Sequence, residues 1–92
     1  MDTIVSIEKI INKILLSSTV DEKRLNKNNL MAYLKEDDLV QSIPVAVRLN
    51  TEFAIGEAID SFMVHDNSVS RENLNNTYAN LRDLLLNDIK AA

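Results

Sequence analysis

The sequence predicts a mainly α-helical fold, a small bundle of four to five helices in one domain spanning residues 1–92. Apolar residues recur at helical spacing in three separate stretches, 46% of the residues are hydrophobic, and only one proline and one glycine interrupt the chain. Apolar positions at i, i+3, i+4 and i+7 lie on one face of an α-helix, which then packs on a core. A chain of this length has enough residues for one such core.

The first predicted helix covers residues 4–16. Its apolar stripe consists of Ile4, Ile7, Ile11, Ile14 and Leu15. Val5, Ile10 and Leu16 lie off that stripe, so the helix is either buried over a wider face or keeps apolar surface for a partner. We favour the wider burial.

A second helix is predicted to begin near Val20. Thr19 and Glu22 have the spacing of a capping box. In this motif the side chain of each residue accepts a hydrogen bond from the backbone amide of the other. Three asparagines within residues 26–29 favour turns over helix, so we expect a break near Asn28. The apolar pattern then resumes, and Asp37 or its neighbour Asp38 is expected to cap one more turn.

The pattern of residues 43–49 fits two structures. Pro44 lacks a backbone N–H and favours an extended conformation for the residue before it. The following residues alternate and are rich in valine, which fits a short strand. A helix that starts after Pro44 is the alternative. A lone strand must find a partner for its backbone groups, and a second copy of the chain could supply one.

The next helix has the clearest amphipathic pattern of the chain. Asn50 or Thr51 is expected to cap it. Its apolar face consists of Ile55, Ala58, Ile59 and Phe62. Gly56 costs helix stability at an interior position, so we expect it to permit the close approach of another element.

A last helix is expected to begin near Ser70, with Ser68 or Ser70 as its cap. Its apolar stripe consists of Leu74, Tyr78, Leu81 and Leu85. Asparagines occupy much of the opposite side, so this helix is expected to pack on one face only.

The residue types exclude several chemistries. The chain has no cysteine and one histidine, so thiol catalysis is excluded and a zinc site is poorly supported. Ser61, His65 and Asp66 could form a hydrolase-like group, but the base would be the sole histidine at an exposed helix end, with no glycine-rich elbow nearby to provide an oxyanion site. A calcium loop from Asp66 fails because Arg71 and Thr77 stand where glycine and glutamate are needed. We therefore predict no enzyme activity, no cofactor and no metal.

The order strand, helix, helix over residues 43–89 resembles that of ribbon-helix-helix DNA-binding domains. In that family two strands pair across a dimer and their outward residues read the major groove. Pro44, Ala46 and Arg48 would be the outward set here, and only Arg48 offers hydrogen bonds to bases. The resemblance implies a dimeric DNA-binding regulator, which is the first alternative function. A structural subunit of an assembly is the second.

The charge balance gives the leading functional hypothesis. Ten Lys and Arg against fourteen Asp and Glu give a net charge of −4, which disfavours direct binding to nucleic acid. No membrane partner is predicted, because no apolar run approaches the length of a bilayer-spanning helix. The charge balance and the lack of catalytic or metal-binding residue sets together predict a small acidic inhibitor of a larger protein complex. The inhibitor would occupy the basic surface with which that complex holds nucleic acid. In general character the chain resembles phage-encoded inhibitors of bacterial defence such as anti-CRISPR proteins, and also antitoxins and immunity proteins.

The residues predicted to contact that partner are the local charge concentrations and the central arginine. They are the acidic run Glu36, Asp37 and Asp38, the basic cluster Lys23, Arg24 and Lys27, and Arg48. Charge runs are common on solvated faces, so this assignment depends on their exposure. The protein is expected in the cytoplasm of the cell that expresses it, because no apolar run is long enough to span a bilayer. Its expected oligomeric state is a monomer or a homodimer.

Overall fold

The computed structural model describes the backbone of residues 2–91 and the side chains of residues 3–87. Met1 and Ala92, the ends of the predicted domain, lie outside the described residues. Within them the chain forms helices and no strand. The five helices are α1 Asp2–Leu16, α2 Val20–Glu36, α3 Asp38–Gln41, α4 Val45–Val64 and α5 Ser68–Ala91. The predicted small all-α bundle is confirmed.

Four long helices form the bundle, and the short α3 lies in the connection between α2 and α4. α1 packs on α2, α2 on α4, α4 on α5, and α5 also touches α1. Tyr78 closes this last contact by donating a 2.6 Å hydrogen bond from its hydroxyl to Glu8. Burial and that hydrogen bond to the carboxylate raise the pKa of Tyr78 above its usual range. The phenol therefore remains a donor that links the last helix to the first.

The core contains one face of each long helix. Its largest fully buried side chains are Phe62, Ile7, Ile14, Leu30, Leu34, Ile55, Ile59, Leu74 and Leu85. The apolar stripes expected for α1, α4 and α5 are thus confirmed. The wider burial expected for α1 is wrong at two positions, because Val5 is 47% exposed and Leu16 is 83% exposed.

α2 is continuous, so the expected break near Asn28 is wrong. The Thr19 side chain accepts from the Glu22 amide at 3.1 Å and caps the helix as predicted. Further along, Leu30 and Leu34 are buried in the core. Their packing outweighs the weak helix propensity of the asparagines, as tertiary contacts commonly do.

The possible strand at residues 43–49 does not form, and the alternative, a helix that starts after Pro44, is correct. Pro44 has φ −50° and ψ 137°, and α4 begins at the next residue. The Arg48 amide donates to the Pro44 carbonyl at 2.9 Å, which closes the first turn. The expected cap at Asn50 or Thr51 is therefore wrong, and Thr51 donates its hydroxyl to the Val47 carbonyl instead. Without the strand, the likeness to ribbon-helix-helix domains disappears.

Of the other two expected caps, the one of α3 is confirmed and the one of α5 is displaced by one residue. Asp37 accepts from the Val40 amide at 3.1 Å and caps α3. At the start of α5, Asn67 accepts from the Ser70 amide and the Ser70 hydroxyl accepts from the Asn67 amide. Asn67 is therefore the cap, and the cap predicted at Ser68 or Ser70 is wrong, because both serines lie within the helix; Ser70 completes the reciprocal pair from its first turn. No helix within residues 2–91 combines the length and the apolar character needed to cross a bilayer.

Candidate partner-binding surface

The acidic run divides into one structural residue and two exposed ones. Asp37 accepts hydrogen bonds from the hydroxyls of Thr3, at 2.9 Å, and Tyr33, at 3.0 Å, in addition to capping α3. Burial opposes the charged form of Asp37, but these hydrogen bonds and that from Val40 outweigh it and lower the pKa of the carboxyl. Glu36 and Asp38 are exposed. Only these two acids of the run are therefore available to a partner.

The basic cluster is also mostly structural. Lys23 is 5% exposed, with its Nζ 3.2 Å from Asp66 Oδ2 and 4.4 Å from the centre of the Phe62 ring. Lys27 forms a 2.6 Å ion pair with Asp60. Arg24 remains exposed and lies 3.5 Å from Asp21 on its own helix. Lys23 and Lys27 are therefore paired with carboxylates from beyond α2, and Arg24 is the exposed member of the cluster.

Arg48 stabilises the connection between α3 and α4. Its guanidinium donates to the carbonyl oxygens of Gln41, at 3.0 Å, and Ile43, at 3.3 Å. A cation at the end of a helix stabilises carbonyls that have no partner within the helix. The side chain predicted to contact a partner therefore has an internal role.

Ser61, His65 and Asp66 do not form a catalytic arrangement. The Asp66 carboxylate is bound by Arg71, at 2.8 and 3.2 Å, and by Lys23. The hydrogen bond from Arg71 is the main reason that the pKa of Asp66 is lowered. The His65 amide donates to the Ser61 carbonyl at 2.8 Å, which is a backbone bond at the end of α4. The described residues show no hydrogen bond between the two side chains, and no group of three or more acidic or histidine side chains among them is placed to hold a metal. The absence of enzyme activity stays a prediction.

The first half of α4 carries an exposed apolar stripe that the sequence analysis did not identify. Val45, Leu49 and Phe53 follow each other at i, i+4 spacing and are 59%, 54% and 67% exposed. No residue from 45 to 54 is buried, and the core face of α4 begins at Ile55. With ordinary side-chain areas these fractions correspond to roughly 350 Å² of apolar surface. Apolar patches of this size are often binding sites.

The stripe continues into a groove between α2 and α4. This α2–α4 groove has a volume of about 340 Å³ and is lined by Lys27, Met31, Phe53, Gly56, Glu57 and Asp60. Phe53 belongs to both features, so the apolar stripe leads into the groove without a break. Lys27 and Asp60 form an ion pair there, whereas Glu57 makes no ion pair with a described residue.

Gly56 in this groove is not required by packing within the chain, contrary to the sequence-based expectation. A Cβ atom built at this position would lie 3.8 Å from Met31 Cε, an ordinary van der Waals distance. A glycine inside a helix costs about 1 kcal/mol relative to alanine. The chain therefore retains a residue that costs helix stability at a position where alanine would fit against Met31.

We expect Gly56→Ala to raise the free energy of unfolding by about 0.5–1 kcal/mol, because alanine restricts the unfolded chain and fits the space beside Met31. Urea denaturation followed by circular dichroism measures this change. Ala54→Gly, at an exposed position of the same helix, is the matched control and should lower the free energy of unfolding by a similar amount. A destabilised Gly56→Ala variant would show that packing within the chain requires a glycine at this position.

A second groove of about 350 Å³ lies at the turn between α4 and α5. Its lining consists of Ser61, His65, Asn67, Val69, Ser70 and Asn73. Asn67 and Ser70 are occupied in capping α5, so fewer of its polar groups are available for a ligand. The α4 stripe with the α2–α4 groove is the better candidate site.

No protein family model matches the chain, and comparisons with curated proteins and with solved structures find no significant similarity.

Proposed function

We propose that the protein is a non-enzymatic binding protein that inhibits a larger protein complex by occupying one of its surfaces. The observation that supports this best is the exposed apolar stripe of Val45, Leu49 and Phe53, which leads into the α2–α4 groove. Apolar patches of this size with a polar rim are typical of protein interaction sites. Phe53 is the expected anchor, because aromatic side chains contribute strongly at the centre of interfaces.

The charges around the stripe favour a partner surface with lysine or arginine beside an apolar ridge. Glu57 lines the groove without an ion-pair partner among the described residues, beside the Lys27–Asp60 ion pair, and the net charge of the chain is −4. A complex that handles nucleic acid presents such basic surfaces, where a carboxylate can replace a phosphate. The function would then be of the anti-defence, antitoxin or immunity type, exerted in the cytoplasm of the cell that expresses the protein.

The experiment is affinity capture from nuclease-treated host lysate with the wild-type protein and two variants. Phe53→Asp places a charge in the stripe, where Phe53 is 67% exposed, and Val69→Asp places the same charge outside it, at a valine that is 74% exposed. We expect wild type and Val69→Asp to retain the same partner and Phe53→Asp to lose it. A partner that all three retain equally would show that the stripe is not the binding site.

A salt titration of the captured complex tests the charge component. We expect affinity to fall as salt rises, because exposed carboxylates are screened within about 10 Å at 0.1 M salt. The double variant Glu36→Ala with Asp38→Ala tests the exposed acids of the run, and it leaves the structural Asp37 in place. If affinity is independent of salt and of both substitutions, the partner is bound through the apolar stripe alone.

A further inference from the structure

We infer that, when no partner is bound, the α4 stripe is covered by the same stripe of a second copy, with the two α4 helices antiparallel across a two-fold axis. The pairing itself follows from the geometry of α4. Its consequence rests on the proposed function, because a dimer through this face must dissociate before the face can bind a partner.

The stripe has a self-complementary order. Val45, Leu49, Phe53 and Glu57 lie at i, i+4 spacing along one row of α4, about 6 Å apart along the helix axis. A two-fold axis between Leu49 and Phe53 places Leu49 of each copy against Phe53 of the other. The same axis places Glu57 of each copy against Val45 of the other. Rows at this spacing interdigitate readily between packed helices.

The charges of α4 favour the antiparallel arrangement. Pro44 gives α4 no side-chain cap, and its first turn contains no acidic residue. α2 and α3, by contrast, have the caps Thr19 and Asp37. In the antiparallel pair, Glu57 of one copy lies at this uncapped N-terminus of the other, where a negative charge is stabilised. A parallel pair would instead place the two Glu57 carboxylates opposite each other.

The area predicts a weak dimer. The stripe supplies roughly 350 Å² per copy, and the surrounding groove and helix surface raise this to about 500–600 Å². The total is close to 1,000 Å², the lower limit of specific interfaces. We therefore expect a dissociation constant in the micromolar range, on the order of 10–100 μM, from which a tighter-binding partner can displace the second copy.

Sedimentation velocity across about 1–500 μM protein measures this equilibrium. Wild type and Val69→Asp should dimerise equally, whereas Leu49→Asp should dimerise at least about 10-fold more weakly, since it buries two unpaired charges per dimer. Glu57→Gln should weaken the dimer about 3- to 30-fold, because each dimer contains two contacts with a helix N-terminus. Circular dichroism confirms that the variants remain folded.

Crosslinking tests the direction of the pairing. The chain contains no cysteine, so Leu49→Cys and Phe53→Cys each introduce a single thiol. After mixing and mild oxidation, antiparallel helices bring the two different thiols within disulfide distance, so heterodisulfides should exceed the statistical share of about half. A parallel pair gives mainly homodisulfides, which would overturn the arrangement.

A wild-type protein that stays monomeric throughout the concentration range overturns the dimer and leaves the proposed function intact. Conversely, disruption of the dimer by Leu49→Asp supports the pairing. Capture of the same partner by wild type and Phe53→Asp contradicts the proposed partner site. The two outcomes are separate because sedimentation uses pure protein and capture uses the host lysate.

Discussion

Phe62→Ala is expected to lower the free energy of unfolding by about 3–5 kcal/mol. The Phe62 ring is fully buried, and two cations lie against it, Lys23 Nζ at 4.4 Å and the Arg71 guanidinium at 5.0 Å from the ring centre. Alanine leaves a cavity and also removes these cation–π contacts. Because Lys23 is itself nearly buried, its charge then loses part of the environment that stabilises it.

Urea denaturation followed by circular dichroism measures the loss, which is a large part of the 5–15 kcal/mol typical of whole domains. The chain provides a matched control in its other phenylalanine. Phe53 is 67% exposed, so Phe53→Ala should change the free energy of unfolding by less than about 0.5 kcal/mol. Equal losses for the two variants would mean that the stripe contributes to the fold and is not a free surface.

The sequence is sufficient to predict the helices of the core, because a side chain that faces the core must recur with the helical period. The four residues predicted for the core face of α4, Ile55, Ala58, Ile59 and Phe62, are all buried. The stripes of α1 and α5 were found by the same pattern. The capping role of Asp37 was also visible, because a cap depends on residues only three positions away.

The start of α4 could not be assigned, because its pattern fits two structures. Valines on either side of Ala46 alternate as in a strand, and Pro44 fits both a strand and the residue before a helix. In the helical form that the structure shows, the guanidinium of Arg48 reaches back to the Gln41 carbonyl at the end of α3. The strand interpretation also concealed the candidate site, since the i, i+4 spacing from Val45 to Phe53 is meaningful only on a helix.

The charged clusters were assigned to a partner because their real partners are distant in sequence. Lys23 pairs with Asp66, 43 residues away, and Asp37 binds Thr3, 34 residues away. No local pattern shows such contacts. A run of like charges in a sequence therefore indicates neither exposure nor function until the fold is known, and here only Glu36, Asp38 and Arg24 remain as exposed members.

Asp37→Ala is expected to lower the free energy of unfolding by about 2–3 kcal/mol at neutral pH. Alanine removes the cap of α3 and leaves the hydroxyls of Thr3 and Tyr33 without their acceptor. A cap contributes about 1 kcal/mol, and hydrogen bonds to a charged group contribute more than neutral ones. The adjacent Asp38 is exposed, so Asp38→Ala is the matched control and should change the free energy by less than about 0.5 kcal/mol.

The contribution of Asp37 should also depend on pH in a defined direction. Its pKa is lower in the folded protein than the value of about 3.9 in the unfolded chain. The stabilisation by its charge is therefore complete above about pH 5 and is lost as the pH falls through the unfolded and then the folded pKa. Denaturation of wild type and Asp37→Asn between about pH 7 and pH 2 measures this difference, which should shrink at the acidic end because asparagine does not titrate. A difference that stays constant over this range would show that the carboxylate charge contributes nothing beyond the geometry of the cap.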